Sequence, residues 1–202
     1  QVAVNTDEVW LNDQSRKYPV SVDPRVDTKD QTIKDTFISS GEPDSQLHGG
    51  MGSMYIGNET TFYKTCRVLV DFDLPESSKC DMVVQAQHKV KQYSNGINPS
   101  MGTMQINAYE MTSAWDEVNA TWTNTKAATD TAKQGTLIDY FNASQDPNKQ
   151  TNSWDITKTI KKWYVDSSSK HGFLLVANDE AAAVRDQYYS SENMGANPVV
   201  PG

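Results

Sequence analysis

The stretch TCRVLVDFDLP, residues 65–75, decides the fold. Its side chains alternate in character, so that Cys66, Val68, Val70 and Phe72 share one face and mostly polar residues share the other. A period of two residues is the pattern of a β-strand with one face toward a hydrophobic core. The proline that closes the run cannot continue the hydrogen bonding of a strand. We therefore predict a strand that contributes directly to the core.

Similar apolar or alternating runs lie on both sides of this strand. They cover residues 32–40, 54–57, 82–94, 104–115, 137–141, 172–179 and 187–193. The runs 82–94 and 104–115 are joined by a loop containing Gly96 and Pro99, which predicts that they pair as antiparallel neighbours. Roughly eight to ten strands without crossover helices predict an all-β, antiparallel β-sandwich of the jelly-roll type.

The spacing of apolar residues changes in the segment WDITKTIKKWYVD, residues 154–166. From Ile156 onward they stand at i, i+4, i+7 and i+8, which is one face of a helix. The pattern predicts one short amphipathic helix near residues 156–166. Asp155 or Thr157 is expected to cap its first turn.

The composition is that of a folded domain with an acidic surface. Hydrophobic residues make up 37% of the 202 residues and charged residues 22%, which is typical of a globular chain. We expect residues 1–29, which contain Pro19 and Pro24, to form an extended N-terminal connector. Residues 30–202 are expected to form a single sandwich domain.

Charge and hydropathy exclude two classes of partner. A net charge of −8 opposes binding to the phosphate backbone of nucleic acid, which needs a clustered basic surface. No run of residues approaches the roughly 20 apolar positions that a membrane-spanning helix requires. We therefore expect neither a nucleic acid partner nor a membrane span.

Five motifs, in their order along the chain, resemble the DNRLRE domain family. They are DTFISS (35–40), MYIG (54–57), RVLVDFDLP (67–75), AYEMTSAWDEVNATW (108–122) and WDITKTIKKWYVDSSSKHGFLLVAND (154–179). That family is grouped with the fold of the transforming growth factor β propeptide, and it overlaps carbohydrate-binding modules assigned to alginate-like glycans. The resemblance covers about residues 30–195 and implies a β-sandwich.

The preceding segment WLNDQSRKYPVSVDP, residues 10–24, is similar to the junction before such domains in bacterial Rhs or YD-repeat wall-associated proteins. The resemblance therefore implies a module of a larger bacterial protein, either secreted or associated with the cell surface or wall. Its implied partners are a polysaccharide or cell-surface polymer and the neighbouring domains of the parent chain. A structural spacer or docking domain without a small ligand is the alternative.

Aromatic residues are the candidates for contact with a sugar, because a ring can pack on the CH face of a pyranose. Tyr188 and Tyr189 are adjacent in a predicted strand, so one of them must face outward, and we take it as the candidate ligand-binding residue. Trp115, Trp122 and Trp163 lie in the recurring motifs or at helical spacing, and we expect them in the core.

Acidic residues offer a possible calcium site, since calcium binds several converging carboxylate oxygens. Asp27, Asp30 and Asp35 cluster near one end of the domain sequence, and Asp44 lies in a glycine-rich loop. A solvated acidic surface is the alternative interpretation. We expect no other cofactor.

The remaining chemistry-bearing residues do not predict an enzyme. His48, His88 and His171 stand in unrelated contexts, and no serine occupies a nucleophile-elbow motif. We therefore expect a non-catalytic domain. Cys66 and Cys80 could form a disulfide in an oxidising compartment or remain free thiols, and the sequence leaves both alternatives open.

Overall fold

The computed structural model describes residues 33–76, 83–93, 104–125, 137–143 and 151–193. Within these ranges the chain forms nine β-strands and a nine-residue α-helix. The elements are β1 (Ile33–Ser39), β2 (Ser53–Asn58), β3 (Thr65–Phe72), β4 (Gln87–Lys91), β5 (Met104–Glu110), β6 (Leu137–Ala143), β7 (Thr151–Asp155), α1 (Thr157–Val165), β8 (Phe173–Ala177) and β9 (Arg185–Tyr189).

The described strands form a seven-stranded antiparallel sheet and a two-stranded one, β4 with β7. Along the larger sheet the order is β6, β5, β8, β3, β2 and β9, and β1 pairs with the other edge of β3. Strand β2 pairs with the start of β3 at Gly57 and Asn58, and then pairs along its length with β9. A bridge from Gln92 to Tyr188 connects β9 to the pair formed by β4 and β7. The predicted all-β sandwich with one short helix is confirmed.

Both sheets contribute to the main core. The seven-stranded sheet supplies Val68, Phe173 and Tyr188, and the two-stranded sheet supplies Trp154, each at most 1% exposed. The Trp154 indole N–H also donates to the carbonyl of Ile106 at 3.1 Å, which ties β7 to β5. Burying large aromatic side chains supplies much of the hydrophobic free energy, and the hydrogen bond avoids an unsatisfied indole.

A second, smaller core lies on the outer side of β3. Leu69 packs there under Trp115 and Trp122 from the segment after β5. Arg67 is only 5% exposed, and its guanidinium donates to both carboxylate oxygens of Glu180 at 2.8 and 3.1 Å. The same guanidinium lies 4.9 Å from the centre of the Trp122 ring. Strand β3 is therefore buried on both faces, and its buried cation is paired.

The predicted pairing of the runs 82–94 and 104–115 is wrong. Strand β4 pairs with β7 and is bridged to β9, whereas β5 pairs with β6 and β8. The connection between β4 and β5 is longer than a tight hairpin turn, so it does not fix the pairing of the strands that it joins. Alternation showed which side chains are buried, but not which strand would cover them.

Helix α1 packs on the main core through Ile160 and Trp163. The N-cap position is Ile156, which has no capping side chain, and Asp155 just before it accepts a hydrogen bond from the first helical N–H, that of Thr157, at 2.9 Å. Trp163 is fully buried in the core, and its indole donates to Glu110 at 3.0 Å. Among the described residues no helix is long and apolar enough to cross a membrane.

Gly172 permits the close approach of β8 to β3. Its φ is +83°, and a Cβ built on it would lie 2.3 Å from the carbonyl oxygen of Val70. We expect Gly172→Ala to lower the free energy of unfolding by about 2 kcal/mol or more, because both the backbone and the contact become strained. Gly50→Ala is the matched control, since a Cβ added there would meet nothing within 4 Å. Urea unfolding of both variants provides the measurement, and equal stabilities would contradict the assignment.

His88 gives the core a dependence on pH. Its ring lies about 6 Å from those of Trp154 and Phe173, its Nε2 is buried without a hydrogen-bond partner, and burial lowers its pKa from 6.5 to about 4. The unfolded chain therefore takes up a proton first as the pH falls. We expect the stability of the wild type relative to His88→Phe to drop by about 3 kcal/mol between pH 7 and pH 4. Parallel pH profiles of unfolding free energy would refute this expectation.

Candidate functional site

Strand β9 separates a buried face from a solvent face. Asp186 and Tyr188 are completely buried, whereas Arg185, Gln187 and Tyr189 are partly exposed. Since alternate residues of a strand point to opposite sides, the three exposed side chains form one row. This row is the centre of the candidate site.

The neighbouring strands extend the row on both sides. Ser53 and Tyr55 of β2 lie opposite Tyr189 and Gln187. On the β4 side, the backbone N–H of Tyr93 donates to the carbonyl of Gln187 at 2.8 Å. We call the resulting surface the β9 face. It comprises Ser53, Tyr55, Lys91, Tyr93, Arg185, Gln187 and Tyr189, all of which are partly exposed.

Two tyrosine rings and a lysine meet at one end of the β9 face. The ring centres of Tyr93 and Tyr189 are 5.0 Å apart, with an angle of 52° between their planes. The Lys91 ammonium lies 5.5 Å from the centre of the Tyr189 ring. In the part of the chain that the structure describes, no carboxylate lies within ion-pair distance of Lys91. This end therefore combines an aromatic platform with a cation that is available to a ligand.

The other end of the β9 face is aromatic and internally paired. The Arg185 guanidinium lies 4.3 Å from the centre of the Tyr55 ring and forms an ion pair with Glu59. Gln187 donates to the Tyr55 hydroxyl at 3.3 Å. Tyr63, from the loop after β2, stacks on Tyr55 at 5.3 Å. These contacts hold the Tyr55 ring in a fixed orientation.

Buried polar groups support the β9 face from below. Asp186 accepts hydrogen bonds from the side chain of Gln92 at 3.0 Å and from the backbone N–H of Gln187 at 2.8 Å. Burial raises the pKa of Asp186, and the hydrogen bonds from Tyr188, Gln187 and Gln92 oppose that rise. The amide of Asn152 donates to the Tyr188 hydroxyl. The network joins β4, β7 and β9, so the exposed side chains stand on a rigid base.

The two tyrosines predicted as ligand-binding residues have different surroundings. Tyr188 is buried in the core and cannot touch a polymer, whereas Tyr189 lies on the outer surface. Sequence reasoning missed Tyr93 and Lys91, which become neighbours of Tyr189 only through the bridge between β4 and β9. It also missed Tyr55. The alternation in both strands was visible, but nothing local indicated that the strands adjoin.

Of the predicted calcium ligands, Asp35 lies in a group of three carboxylates. One oxygen from each of Asp35, Glu117 and Glu192 lies within 4.8 Å of the other two. Asp44 is exposed in its loop and is outside this group. Asp27 and Asp30 lie outside the described residues.

The remaining predicted residues are structural where the structure describes them. Cys66 is a free and fully buried thiol, and burial raises its pKa to about 12. Its possible disulfide partner, Cys80, lies outside the described residues. Trp163 belongs to the main core, and Trp115 and Trp122 pack against the smaller one, as expected.

The fold and the β9 face together define a β-sandwich domain with a partly exposed surface of aromatic and polar side chains. Comparison of the sequence with known families specifies this class further. The family model described as carbohydrate-binding module family 96 matches residues 27–200, and the chain belongs to that family.

Two curated proteins are also similar to this chain. They are the tRNA nuclease WapA of Bacillus subtilis strain 168 and the tRNA(Glu)-specific nuclease WapA of Bacillus subtilis subsp. natto strain BEST195. Each is 25% identical over an alignment of 202 positions, which covers 98% of this chain and 8% of the relative. The chain thus spans about one twelfth of the length of the relatives it matches.

Proposed function

We propose that this domain binds a polysaccharide through the β9 face and does not change it covalently. The observation that carries the proposal is the outward row of β9, in which Tyr189 is flanked by Tyr93 and by hydrogen-bonding and cationic groups. Membership of a carbohydrate-binding family supports it. A secreted or cell-surface setting in a larger bacterial protein is part of the proposal.

The chemistry of the face fits a sugar chain. The tyrosine rings offer apolar surface to the CH groups of a pyranose, and the side chains of Ser53 and Gln187 offer hydrogen bonds to hydroxyls. Lys91 places a positive charge beside the Tyr189 ring, on a chain whose net charge is −8. A polymer that carries carboxylates would gain from this charge, so we propose uronic acid-containing glycans as the preferred class.

The absence of catalysis is part of the same proposal. Among the described residues, the carboxylates of Asp35, Glu117 and Glu192 lie close together and could suggest a catalytic site. However, Asp35 is only 6% exposed. A glycosidic oxygen could not reach Asp35, so this residue does not fit the pair of accessible carboxylates that glycoside cleavage requires. We also attach no nuclease role to the domain, because its net charge opposes a phosphate backbone.

A structural spacer is the second candidate function. It is favoured by the comparison with the two WapA proteins, since a domain that corresponds to 8% of a very long polypeptide can serve to separate its neighbours. A spacer needs no exposed aromatic platform. The binding experiment below separates the two candidates.

We expect the purified domain to bind one class of glycan on an array of neutral and uronic acid-containing polysaccharides. Tyr189→Ala should weaken binding about tenfold or more, because the ring is the centre of the platform. Tyr140→Ala is the matched control, since Tyr140 is 54% exposed on β6 and lies outside the β9 face. Circular dichroism checks that both variants fold. Absence of binding to every glycan would favour the spacer, and equal losses in both variants would move the site away from β9.

The role of Lys91 can be tested separately by salt and substitution. Lys91→Gln should lower affinity for an anionic glycan several-fold and make binding less sensitive to sodium chloride, because one screened charge pair is lost. Affinity for a neutral glycan should not change. Isothermal titration calorimetry at two salt concentrations measures the affinity and its salt dependence. An unchanged salt dependence would exclude Lys91 from the contact.

A further inference from the structure

Three parts of the chain that are distant in sequence bring carboxylates together beside β1. Asp35 comes from β1, Glu117 from the segment after β5, and Glu192 from the segment after β9. One oxygen of each lies within 4.8 Å of the other two. Like charges at this distance repel, so the arrangement needs a stabilising factor.

Hydrogen bonds hold the carboxylates in place. The backbone N–H of Asp35 donates to Glu117 at 2.7 Å, and that of Ser191 donates to the Asp35 carboxylate at 2.9 and 3.2 Å. The Ser191 hydroxyl donates to Glu192 Oε1 at 3.1 Å. The backbone of Gly49 also packs so closely on Glu117 that a Cβ there would lie 2.3 Å from the Glu117 carbonyl oxygen. The three groups are therefore fixed beside one another.

The negative charge of the group is not compensated within the described residues. Asp35 is almost fully buried, and no described lysine or arginine forms an ion pair with any of the three carboxylates. Burial raises the pKa of Glu117, and Lys34, which lowers that pKa, has a smaller effect. Burial, followed by the charge of Glu192, raises the pKa of Asp35 to about 7.

Glu192 supplies a second and independent indication of a ligand. Its Oε2 is sealed from solvent and has no hydrogen-bond partner in the described part of the chain. A buried carboxylate oxygen without a partner is costly, and native proteins seldom leave one unsatisfied. A cation bound between the three residues would satisfy this oxygen and neutralise the charge.

We propose that Asp35, Glu117 and Glu192 bind one divalent cation of the calcium type. Calcium takes oxygen ligands at about 2.3–2.6 Å, so two oxygens on one ion can be separated by up to about 5 Å. The observed limit of 4.8 Å is within that reach. All three donors are carboxylate oxygens. Hard cations such as calcium prefer oxygen ligands, whereas many transition metals favour nitrogen or sulfur. The site is separate from the glycan proposal.

The bound cation stabilises the fold by joining three segments that are far apart in sequence. It ties β1 to the outer segment that carries Glu117 and to the chain just after β9. Because the folded state alone assembles these ligands, binding raises the stability in proportion to the logarithm of the cation concentration. The effect can be measured without any glycan.

The test uses the whole chain, first treated with EDTA and then titrated with calcium chloride or magnesium chloride. We expect heat of binding in calorimetry and a rise in Tm of about 5 °C or more at a calcium concentration 100 times the Kd. Asp35→Asn and Glu192→Gln should abolish both signals. Asp44→Asn, which removes an exposed acid outside the group, should keep them.

Melting temperatures measured in EDTA show whether the variants fold without a bound cation. Glu192→Gln removes one of the repelling charges, so its Tm without calcium should equal or exceed that of the wild type, which shows that it folds. Overturning results are a wild type that neither binds calcium nor gains Tm, or an Asp44→Asn chain that loses the response as fully as Glu192→Gln. If the wild type neither binds calcium nor gains Tm, the three carboxylates are held together by a shared proton instead of a cation.

Discussion

The burial of β3 on both faces is the constraint on which the rest of the structure depends. Val68 and Val70 face the main core, while Arg67 and Leu69 lie under the segment after β5. Both edges of β3 are paired as well, one with β1 and the other with β8 and β2. Because β2 in turn pairs with β9, the position of β9 depends on β3.

Local sequence signals predicted those elements whose neighbours share a simple pattern. Alternation identified β3, an unbroken apolar run identified β8, and a change of period identified α1. Strand β7 was not predicted, because its short sequence, TNSWD, contains a single apolar residue, Trp154, and directly precedes the predicted helix. That tryptophan instead fills the core from a strand, where its burial is decided by residues far away in sequence.

The candidate site, like the fold, could be predicted only in part from the sequence. Alternation correctly indicates that adjacent tyrosines point to opposite sides, and the structure places Tyr189 outside. Its neighbours are Lys91, which ends β4, and Tyr93, which follows β4. Both lie almost a hundred residues before Tyr189, and no local rule relates β4 to β9. Asp35 was one candidate among 26 acidic residues, and Glu117 and Glu192 had no motif to single them out. Tertiary pairing creates both sites.

The hydrogen bonds from Ser191 to Asp35 have a mechanical consequence for any longer polypeptide that contains this domain. They connect the first described strand with the residues that follow the last one, at 2.9 Å for the shorter of the two. Tension applied at the two ends of the described domain would therefore be carried in part by these hydrogen bonds, which join its first strand to the residues after its last strand.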